Sequence, residues 1–313
     1  MADYDVSGLD DYIEQNKQEL LHDSILGSSL FNYPIDIITG VKYKENFNFA
    51  AVTAPFQSGA TCAFNASGTM VFTKTELLVK DVKVQDEYCP KELEAKYTQK
   101  YLRPGAHQEE LPLGQFITDK MNKLIAIQME QAIFQGDTAQ SAVNLKQFDG
   151  LLKKIDAGSP VSATPSTYNQ ANSRTIIEEM YTLVPEAING EDIVILMSKS
   201  YFKLLLLKLA NDNLFHVEVD QSKDVWELTY PFFNMKVIGL SGLDTVANGM
   251  GAYENRIIAT YWDNLAFVTD LQNDSENVEM FYSRDDRKIK LSYEWKAGTG
   301  VKFTNHVVEY TNS

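Results

Sequence analysis

The sequence is short of the residues that define several classes of protein. Its two cysteines, Cys62 and Cys89, are too few for a disulfide framework and fit a reducing compartment. Nine prolines and 17 glycines among 313 residues exclude collagen-like rods and low-complexity tails. The longest dense apolar run, the four leucines 204–207, is far below the ~18 residues of a membrane helix, so no membrane partner is expected.

Positive charge is also scarce. Lysine and arginine total 28 against 43 acidic residues, which leaves a formal net charge of −15. Such a surface repels phosphates, so it disfavours sequence-specific DNA binding but tolerates a position beside DNA. Residues 1–5 are acidic and lack the basic and apolar regions of a secretion signal. We therefore expect a soluble product of the cytoplasm.

Residues suited to catalysis or metal binding do not cluster. The four histidines are dispersed, and the cysteines lack the spacing of a zinc site. The Gly-x-Gly pairs at 249–251 and 298–300 continue into no phosphate-binding motif and predict turns. Adjacent carboxylates such as those at 285–286 point to different faces. We assign no catalytic residue, no metal ligand and no cofactor, which favours a structural or binding role over an enzyme.

Hydrophobic periodicity predicts one long helix and several shorter ones. Apolar residues at helical spacing run from Phe116 to Ala132, between Pro112 and Gly136, and predict a rod of roughly 36 Å. A narrow apolar face on the first helix is typical of an arm that lies on another surface. The predicted helices cover 7–24, 90–102, 112–135, 175–184 and a segment that begins at Ser198, and 158–172 is a predicted loop.

Alternating patterns predict strands, of which those in 69–85 are the most unusual. Two strands of up to ~10 residues there would span roughly 33 Å as a hairpin with polar residues on both faces. Such a hairpin cannot bury itself and usually lies on another subunit. The preceding segment 43–66 is irregular and rich in aromatic residues. Further predicted strands lie at 192–197, 232–240, 256–262 and in a C-terminal meander over 278–303.

The order of these parts, together with four local patterns, carries a resemblance. The patterns are Gly136-Asp137 with Phe148-Asp149-Gly150-Leu151-Leu152, the strand and leucine-rich helix from Ile193, the segment 264–270, and the meander through 281–283 and 295–298. They are similar to patterns in the major capsid protein family of tailed bacteriophages, whose fold encapsulin nanocompartments share. The resemblance extends over essentially residues 1–313.

The resemblance implies an α+β coat-protein fold. Its parts would be an N-arm, an extended β-hairpin (E-loop), a peripheral domain with a long spine helix and a β-meander, and an α/β axial domain. The implied divisions are 1–45 for the N-arm, 46–89 for the E-loop, 90–153 and 262–313 for the peripheral domain, and 154–261 for the axial domain. About 40 residues precede the hairpin, too few for a fused scaffolding domain, so any scaffold is expected to be a separate protein.

The resemblance further implies a major capsid protein that forms hexamers and pentamers in an icosahedral shell around double-stranded DNA. The expected partners are copies of the chain, a portal and a scaffolding protein, with no sequence-specific DNA contact and no membrane. The expected location is the virion capsid, after synthesis in the host cytoplasm. The arm and the hairpin should bury apolar side chains on neighbouring subunits, namely Leu9, Ile13, Phe64, Met70, Phe72, Leu77 and Val79.

Three other interpretations remain open on the sequence. The nearest is an encapsulin-type shell that holds an enzyme cargo, which a neighbouring cargo gene rather than portal and terminase genes would reveal. An α/β enzyme with a scattered site and a β-rich ligand-binding module are less favoured. Both of these would remain monomers or small oligomers, so the size of the assemblies distinguishes them from a shell.

Overall fold

A computed structural model describes residues 20, 23–53, 55–56, 67–89, 113–212, 219–221, 226–230, 233, 235–246, 253–270, 277–283 and 285–312. Four helices lie within this part of the chain: α1 (Leu113–Gln135), α2 (Leu151–Asp156), α3 (Ser173–Thr182) and α4 (Lys199–Asn211). The first seven strands are β1 (Asp36–Ile38), β2 (Lys44–Thr53), β3 (Thr69–Leu78), β4 (Lys80–Tyr88), β5 (Val161–Ser162), β6 (Ile193–Ser198) and β7 (Val219–Gln221). The other seven are β8 (Trp226–Thr229), β9 (Lys236–Leu240), β10 (Ile257–Tyr261), β11 (Leu265–Thr269), β12 (Asn277–Ser283), β13 (Lys288–Val301) and β14 (Val308–Tyr310).

Strand β13 organises a five-stranded sheet. It pairs antiparallel with β4, β11 and β12, and β1 adds to β11 in parallel. Its residues alternate between buried apolar side chains, from Ile289 to Trp295, and half-exposed polar ones. This period of two places one dry face under α1, where the Tyr293 hydroxyl donates a 2.9 Å hydrogen bond to Asn122 Oδ1. The long helix and this sheet therefore share one core.

A seven-stranded sheet in the order β5-β14-β10-β6-β9-β8-β7 forms the second layer. Val194 and Leu196 of β6 face the core that α1 shares, whereas Ile195 and Met197 face the core formed with α3 and α4. Both faces of the central strands are covered, which explains their continuous apolar runs. Ser198 begins α4 as its N-cap, accepting a hydrogen bond from the Tyr201 amide at 3.2 Å.

Strands β2 and β3 form a separate two-stranded ribbon. Ten residue pairs join them in antiparallel register, from Lys44 opposite Leu78 to Thr53 opposite Thr69. At ~3.3 Å per residue the ribbon is roughly 33 Å long. One residue, Val79, separates its end from β4 in the five-stranded sheet.

Several predicted elements are confirmed. Helix α1 covers the predicted rod, β6 and α4 lie where the sequence places them, and α3 begins two residues before its predicted start. Strands β9, β10, β12 and β13 likewise match predicted strands within a few residues. Most of the predicted helix 7–24, and all of the helix 90–102, lie outside the described residues; Leu20 and 23–25 are helical.

Three predictions were wrong. The two strands within 69–85 do not pair with each other, because β3 pairs with β2 and β4 pairs with β13. The hairpin that forms instead runs from Lys44 to Leu78, and the segment 44–53, predicted to be irregular, is its first strand. The residues 298–300 continue β13 rather than forming a turn. Their glycines are needed because a Cβ at 298 would meet the Leu78 carbonyl oxygen, and one at 300 the Leu77 side chain.

Candidate assembly surface

The near half of the ribbon is fixed to the rest of the chain. The Phe49 ring lies 4.4 Å from the Phe303 ring, between centroids, and Lys302 Nζ lies 5.2 Å from the Phe47 centroid. Leu77 is fully buried against Val41 and Val268. Aromatic, cation–π and aliphatic contacts thus determine the direction in which the ribbon extends from the five-stranded sheet.

Two carboxylates outside the ribbon fix the position of Lys302 against the base of the ribbon. Lys302 Nζ lies 2.8 Å from Asp263 Oδ1 and 2.9 Å from Asp36 Oδ2. Only 13% of its side chain is exposed to solvent. Burial disfavours the ammonium charge, but the two carboxylates outweigh it and raise the pKa of Lys302. The cation beneath Phe47 is therefore permanently charged at neutral pH.

The far half of the ribbon is apolar and exposed. Val52, Met70 and Phe72 share one face and are 62%, 57% and 71% exposed, and Val71 on the opposite face is 54% exposed. No charged residue occurs between Glu45 and Lys74, a stretch of 28 residues in a chain with 23% charged residues. A surface of this kind, contiguous and uncharged, is typical of a protein–protein contact.

The predicted contact residues separate into three groups. Met70 and Phe72 are exposed on the far half of the ribbon, where a neighbour could reach them. Leu77 and Val79 need correction, because both are buried within their own chain, at 0% and 4% exposure, and support the base of the ribbon. The remaining predicted residues, Leu9, Ile13 and Phe64, lie outside the described residues.

Sequence reasoning missed the part that β2 contributes to this surface. Val52 belongs to the same exposed face as Met70, and Phe56, just beyond the strand, is fully exposed. A signal was available, because the residues 46–49 alternate asparagine and phenylalanine with the period of a strand. The aromatic content of 43–66 obscured that alternation.

The Gly-Asp and Asp-Gly motifs form a close crossing behind α1. The Gly150 amide donates to the Gly136 carbonyl at 2.8 Å, and a Cβ on Gly150 would lie 2.6 Å from the Gly136 nitrogen. Lys153 Nζ joins the two aspartates, at 2.7 Å from Asp137 and 2.6 Å from Asp149. The motif that carries the resemblance is therefore a structural crossing between the end of α1 and the start of α2.

Glu130 connects three parts of the molecule. Its carboxylate is 1% exposed and accepts hydrogen bonds from Ser29 Oγ at 2.8 Å, Ser241 Oγ at 2.9 Å and the Gly242 amide at 2.8 Å. Gln135, one turn later, donates to the Gly242 carbonyl at 2.7 Å. These bonds attach α1 both to the segment before β1 and to the turn after β9, so the two sheets are held in one arrangement.

The titratable groups of the described residues include several ion pairs, such as that of Arg256 with Asp156 and Glu309. No group of three or more His, Cys, Asp or Glu that could hold a metal ion occurs among them. Burial lowers the pKa of Lys154 to about 8, and its ammonium donates to the Thr299 carbonyl on β13. None of the described helices is long and apolar enough to cross a membrane.

Comparison with solved structures identifies the fold. A chain of Gordonia phage Cozz matches with a TM-score of 0.60 and 16% identity, covering 91% of this chain and 87% of that one. A chain of the satellite phage P4 procapsid that includes the size determination protein Sid matches with a TM-score of 0.57 and 11% identity, over 100% and 99% of the two chains. The holo-SrpI encapsulin of Synechococcus elongatus PCC 7942 matches with a TM-score of 0.53 and 9% identity, over 91% and 87%.

No family model and no curated protein matches the sequence. At these sequence identities the structural matches show the fold alone. They agree with the resemblance carried by the sequence motifs, including its extension to encapsulins. The chain has the α+β fold that phage capsid subunits and encapsulin subunits share.

Proposed function

We propose that this chain is the major capsid protein of a tailed phage, and that hexamers and pentamers of it close an icosahedral shell around double-stranded DNA. The fold shared with phage capsid subunits supports a shell role. The observation that carries the proposal is the apolar far half of the ribbon, where Val52, Met70 and Phe72 are exposed in the isolated chain. Such side chains gain free energy of roughly 25 cal/mol per Å² when a neighbour covers them.

In this proposal each part of the fold has a role in the shell. The ribbon β2–β3 is the E-loop and α1 is the spine helix, on a peripheral domain that includes the five-stranded sheet. The seven-stranded sheet with α3 and α4 belongs to the axial domain, and the N-arm comprises the residues that precede the ribbon. The hydrogen bonds from Ser29, Ser241 and Gly242 to Glu130, called the Glu130 clamp from here on, support this assignment. They fix the angle between the two sheets, and a subunit of fixed shape can occupy a repeated lattice position.

The acidic composition supports the proposed contents of the shell. A wall with a net charge of −15 per subunit repels the DNA phosphates, so packaged DNA can slide past it without sequence-specific contact. A portal and a separate scaffolding protein are the further partners we propose. The proposed location is the virion capsid, after synthesis in the host cytoplasm, and the proposed role is structural rather than enzymatic.

An encapsulin-type shell is the second candidate, and the match to the SrpI encapsulin favours it. Both candidates are closed shells of the same subunit fold, so the contents distinguish them. Particles purified with nuclease-resistant double-stranded DNA indicate a phage capsid. Particles that retain one cellular enzyme and no DNA indicate a nanocompartment.

Removal of the far half of the ribbon tests the shell proposal. A variant with 50–72 replaced by Asn-Gly keeps the Phe49–Thr73 pair and the anchored half, and a two-residue turn can close it. We expect the variant to fold, with unchanged circular dichroism and cooperative melting, and to form no closed particles by negative-stain microscopy. Intact shells from this variant would contradict the role proposed for the ribbon, and failure of the unaltered chain to form closed particles would contradict the shell.

A further inference from the structure

Helix α4 is more apolar than a single buried face requires. Its four consecutive leucines, 204–207, lie about 100° apart around the helix axis, so they cannot all face one core. Leu205 is fully buried in the core that α4 shares with α3, whereas Leu207 is 53% exposed and Leu206 is half-buried. A helix that is apolar around most of its circumference is typically covered on more than one side. Within the part of the chain that the structure describes, the outer side of α4 is left exposed.

The same helix is basic in an acidic chain. The segment 193–211 contains three lysines and no acidic residue, although the whole chain has a net charge of −15. One of the three is neutralised, because Lys208 Nζ lies 2.9 Å from Asp212 Oδ1. Lys199 and Lys203 have no carboxylate within salt-bridge distance among the described residues. Their two positive charges are therefore uncompensated on this part of the surface.

The indole ring of Trp226 on β8 brings these two charges together. Lys199 Nζ lies 5.8 Å and Lys203 Nζ 5.3 Å from the centroid of the ring. Phe202 packs edge-on against the ring at 5.9 Å between centroids, and a Cβ on Gly239 would lie 3.3 Å from Trp226 Cβ. Like charges four residues apart on a helix repel each other, and a cation–π contact at an exposed site returns only about 0.5–1 kcal/mol. An anion between the two ammonium groups would remove this repulsion.

Two carboxylates close to this region are already bonded to other groups. Asp244 Oδ1 accepts hydrogen bonds from the amide and the hydroxyl of Ser200, at 3.3 and 3.0 Å. Glu227 on β8 lies 2.7 Å from Lys236 Nζ. Neither carboxylate neutralises the two uncompensated lysines.

We infer that the outer side of α4 binds an acidic amphipathic helix of a separate protein. The α4 surface consists of two ammonium groups and the apolar side chains beside them, namely Lys199, Lys203, Leu206, Leu207, Ala210 and Trp226. Lys203, Leu207 and Ala210 follow the spacing i, i+4, i+7 of a helix ridge, which fits the groove of a second helix. Carboxylates of that helix would lie between the two ammonium groups, and its apolar stripe would cover the leucines.

The chemistry of the α4 surface favours such a helix over nucleic acid and over a second copy. Phosphates would neutralise the lysines but leave Leu207 without an apolar partner. A second copy carries a net charge of −15 and repels the first as a whole, whereas a short acidic helix brings only the charges that meet the lysines. The inference rests on the proposed function, because the scaffolding protein proposed there is the partner that would carry the helix.

Binding of a synthetic helix to the full chain tests the inference. The probe is a fluorescein-labelled peptide of about 18 residues, or about five turns, with leucines at i, i+3, i+4 and i+7 and glutamates beside them. Its affinity is measured by fluorescence anisotropy at about 150 mM salt, where a screening length of about 8 Å suppresses the repulsion between net charges. The protein is kept below the concentration at which it assembles. A second peptide, with lysine in place of every glutamate, controls for charge.

A matched pair of double variants locates the binding. Lys203→Gln with Leu207→Ser alters the α4 surface, and Lys123→Gln with Ile127→Ser makes equivalent changes at the same spacing on the exposed side of α1. Leu207 and Ile127 are similarly exposed, at 53% and 51%, and circular dichroism checks that both variants fold. We expect the affinity for the glutamate peptide to fall about tenfold or more in the α4 variant, which is the loss of one covered leucine. The α1 variant should change it less than about twofold.

Equal losses in the two variants, or equal binding of the two peptides, would overturn the inference. Displacement of the peptide by duplex DNA would assign the surface to phosphates, and self-association that only the α4 variant loses would assign it to a second copy; either result overturns it. Closed shells of the unaltered chain without peptide binding would overturn the α4 surface and leave the proposed function standing. Peptide binding by a chain that forms no closed particles would support the surface and contradict the shell.

Discussion

Two neighbouring lysines on α2 show how strongly the surroundings of a single residue set its effect on stability. Lys153 contacts Asp137 and Asp149, whose carboxylates raise its pKa. Lys154 is half-buried, and the partial loss of water around its ammonium lowers its pKa from 10.5 to about 8. The charge of the first lysine therefore stabilises the folded chain, whereas that of the second opposes folding.

The unfolded chain holds the Lys154 proton up to pH 10.5, and the folded chain holds it only up to about pH 8. The free energy of unfolding should therefore rise as pH increases from 8 to 10.5, and the full penalty, about 3 kcal/mol, applies below pH 8. We expect Lys154→Met to raise stability at pH 7 by about 1–3 kcal/mol and to flatten this pH dependence. Lys153→Met should lower stability, and denaturant unfolding at pH 7 and 9.5 compares both. A less stable Lys154→Met would contradict the assignment.

At the scale of secondary-structure elements, the glycines of β13 determine how the ribbon joins the sheet. Gly298→Ala would place a Cβ against the Leu78 carbonyl, where backbone cannot yield, so we expect a loss of about 2 kcal/mol in stability. The control is Gly190→Ala, because a Cβ there meets nothing within 4 Å and should change stability by less than about 1 kcal/mol. Equal melting temperatures for the two variants would show that β3 can move away from β13.

The Glu130 clamp makes a prediction about how α1 is attached to both sheets. Glu130→Ala leaves the buried Gly242 amide and two half-buried serine hydroxyls without their acceptor, so we expect a loss of about 3 kcal/mol. Glu130→Gln keeps one acceptor oxygen for Ser241 and Gly242 and should cost about 1 kcal/mol. Thermal melting ranks the two variants, and hydrogen exchange of 28–33 reports whether the segment before β1 loosens. Equal effects of the two substitutions would contradict the clamp.

The elements that could be predicted from the sequence are those with a single, regular hydrophobic pattern. The extent of α1 and the alternation of β13 were predicted correctly because each follows one period, although Leu124 of the predicted α1 stripe is 49% exposed. The partner of β3 was not predictable, since an exposed ribbon has no dry face to mark its register. The assembly surface was half predictable for the same reason: Met70 and Phe72 stand out as apolar, but only the register separates them from the buried Leu77.

At the scale of the whole molecule, charge and the apolar ribbon act against each other in assembly. Every copy carries a net charge of −15, so copies repel one another at distances up to the screening length. The contacts we propose between them are uncharged and do not weaken when salt is added. We therefore expect salt to favour assembly.

Raising the salt concentration from about 20 to about 500 mM shortens the screening length from roughly 20 Å to below 5 Å. The assembled fraction, measured by light scattering and sedimentation, should increase, and the concentration needed for assembly should fall several-fold. The variant without 50–72 serves as the control and should stay unassembled at both salt concentrations. Dissociation of shells at high salt would indicate that ion pairs, rather than apolar surfaces, hold the copies together.

The single residue between the ribbon and β4 has a mechanical consequence. Because β3 and β4 follow one line beside β13, tension applied at the far end of the ribbon passes through Val79 into β4 along the strand axis. The nine residue pairs between β4 and β13 then resist the pull together, in shear, instead of opening one after another. In the shell that we propose, tension at a contact between two copies would therefore enter the body of each subunit along its own backbone, without a flexible linker to absorb it.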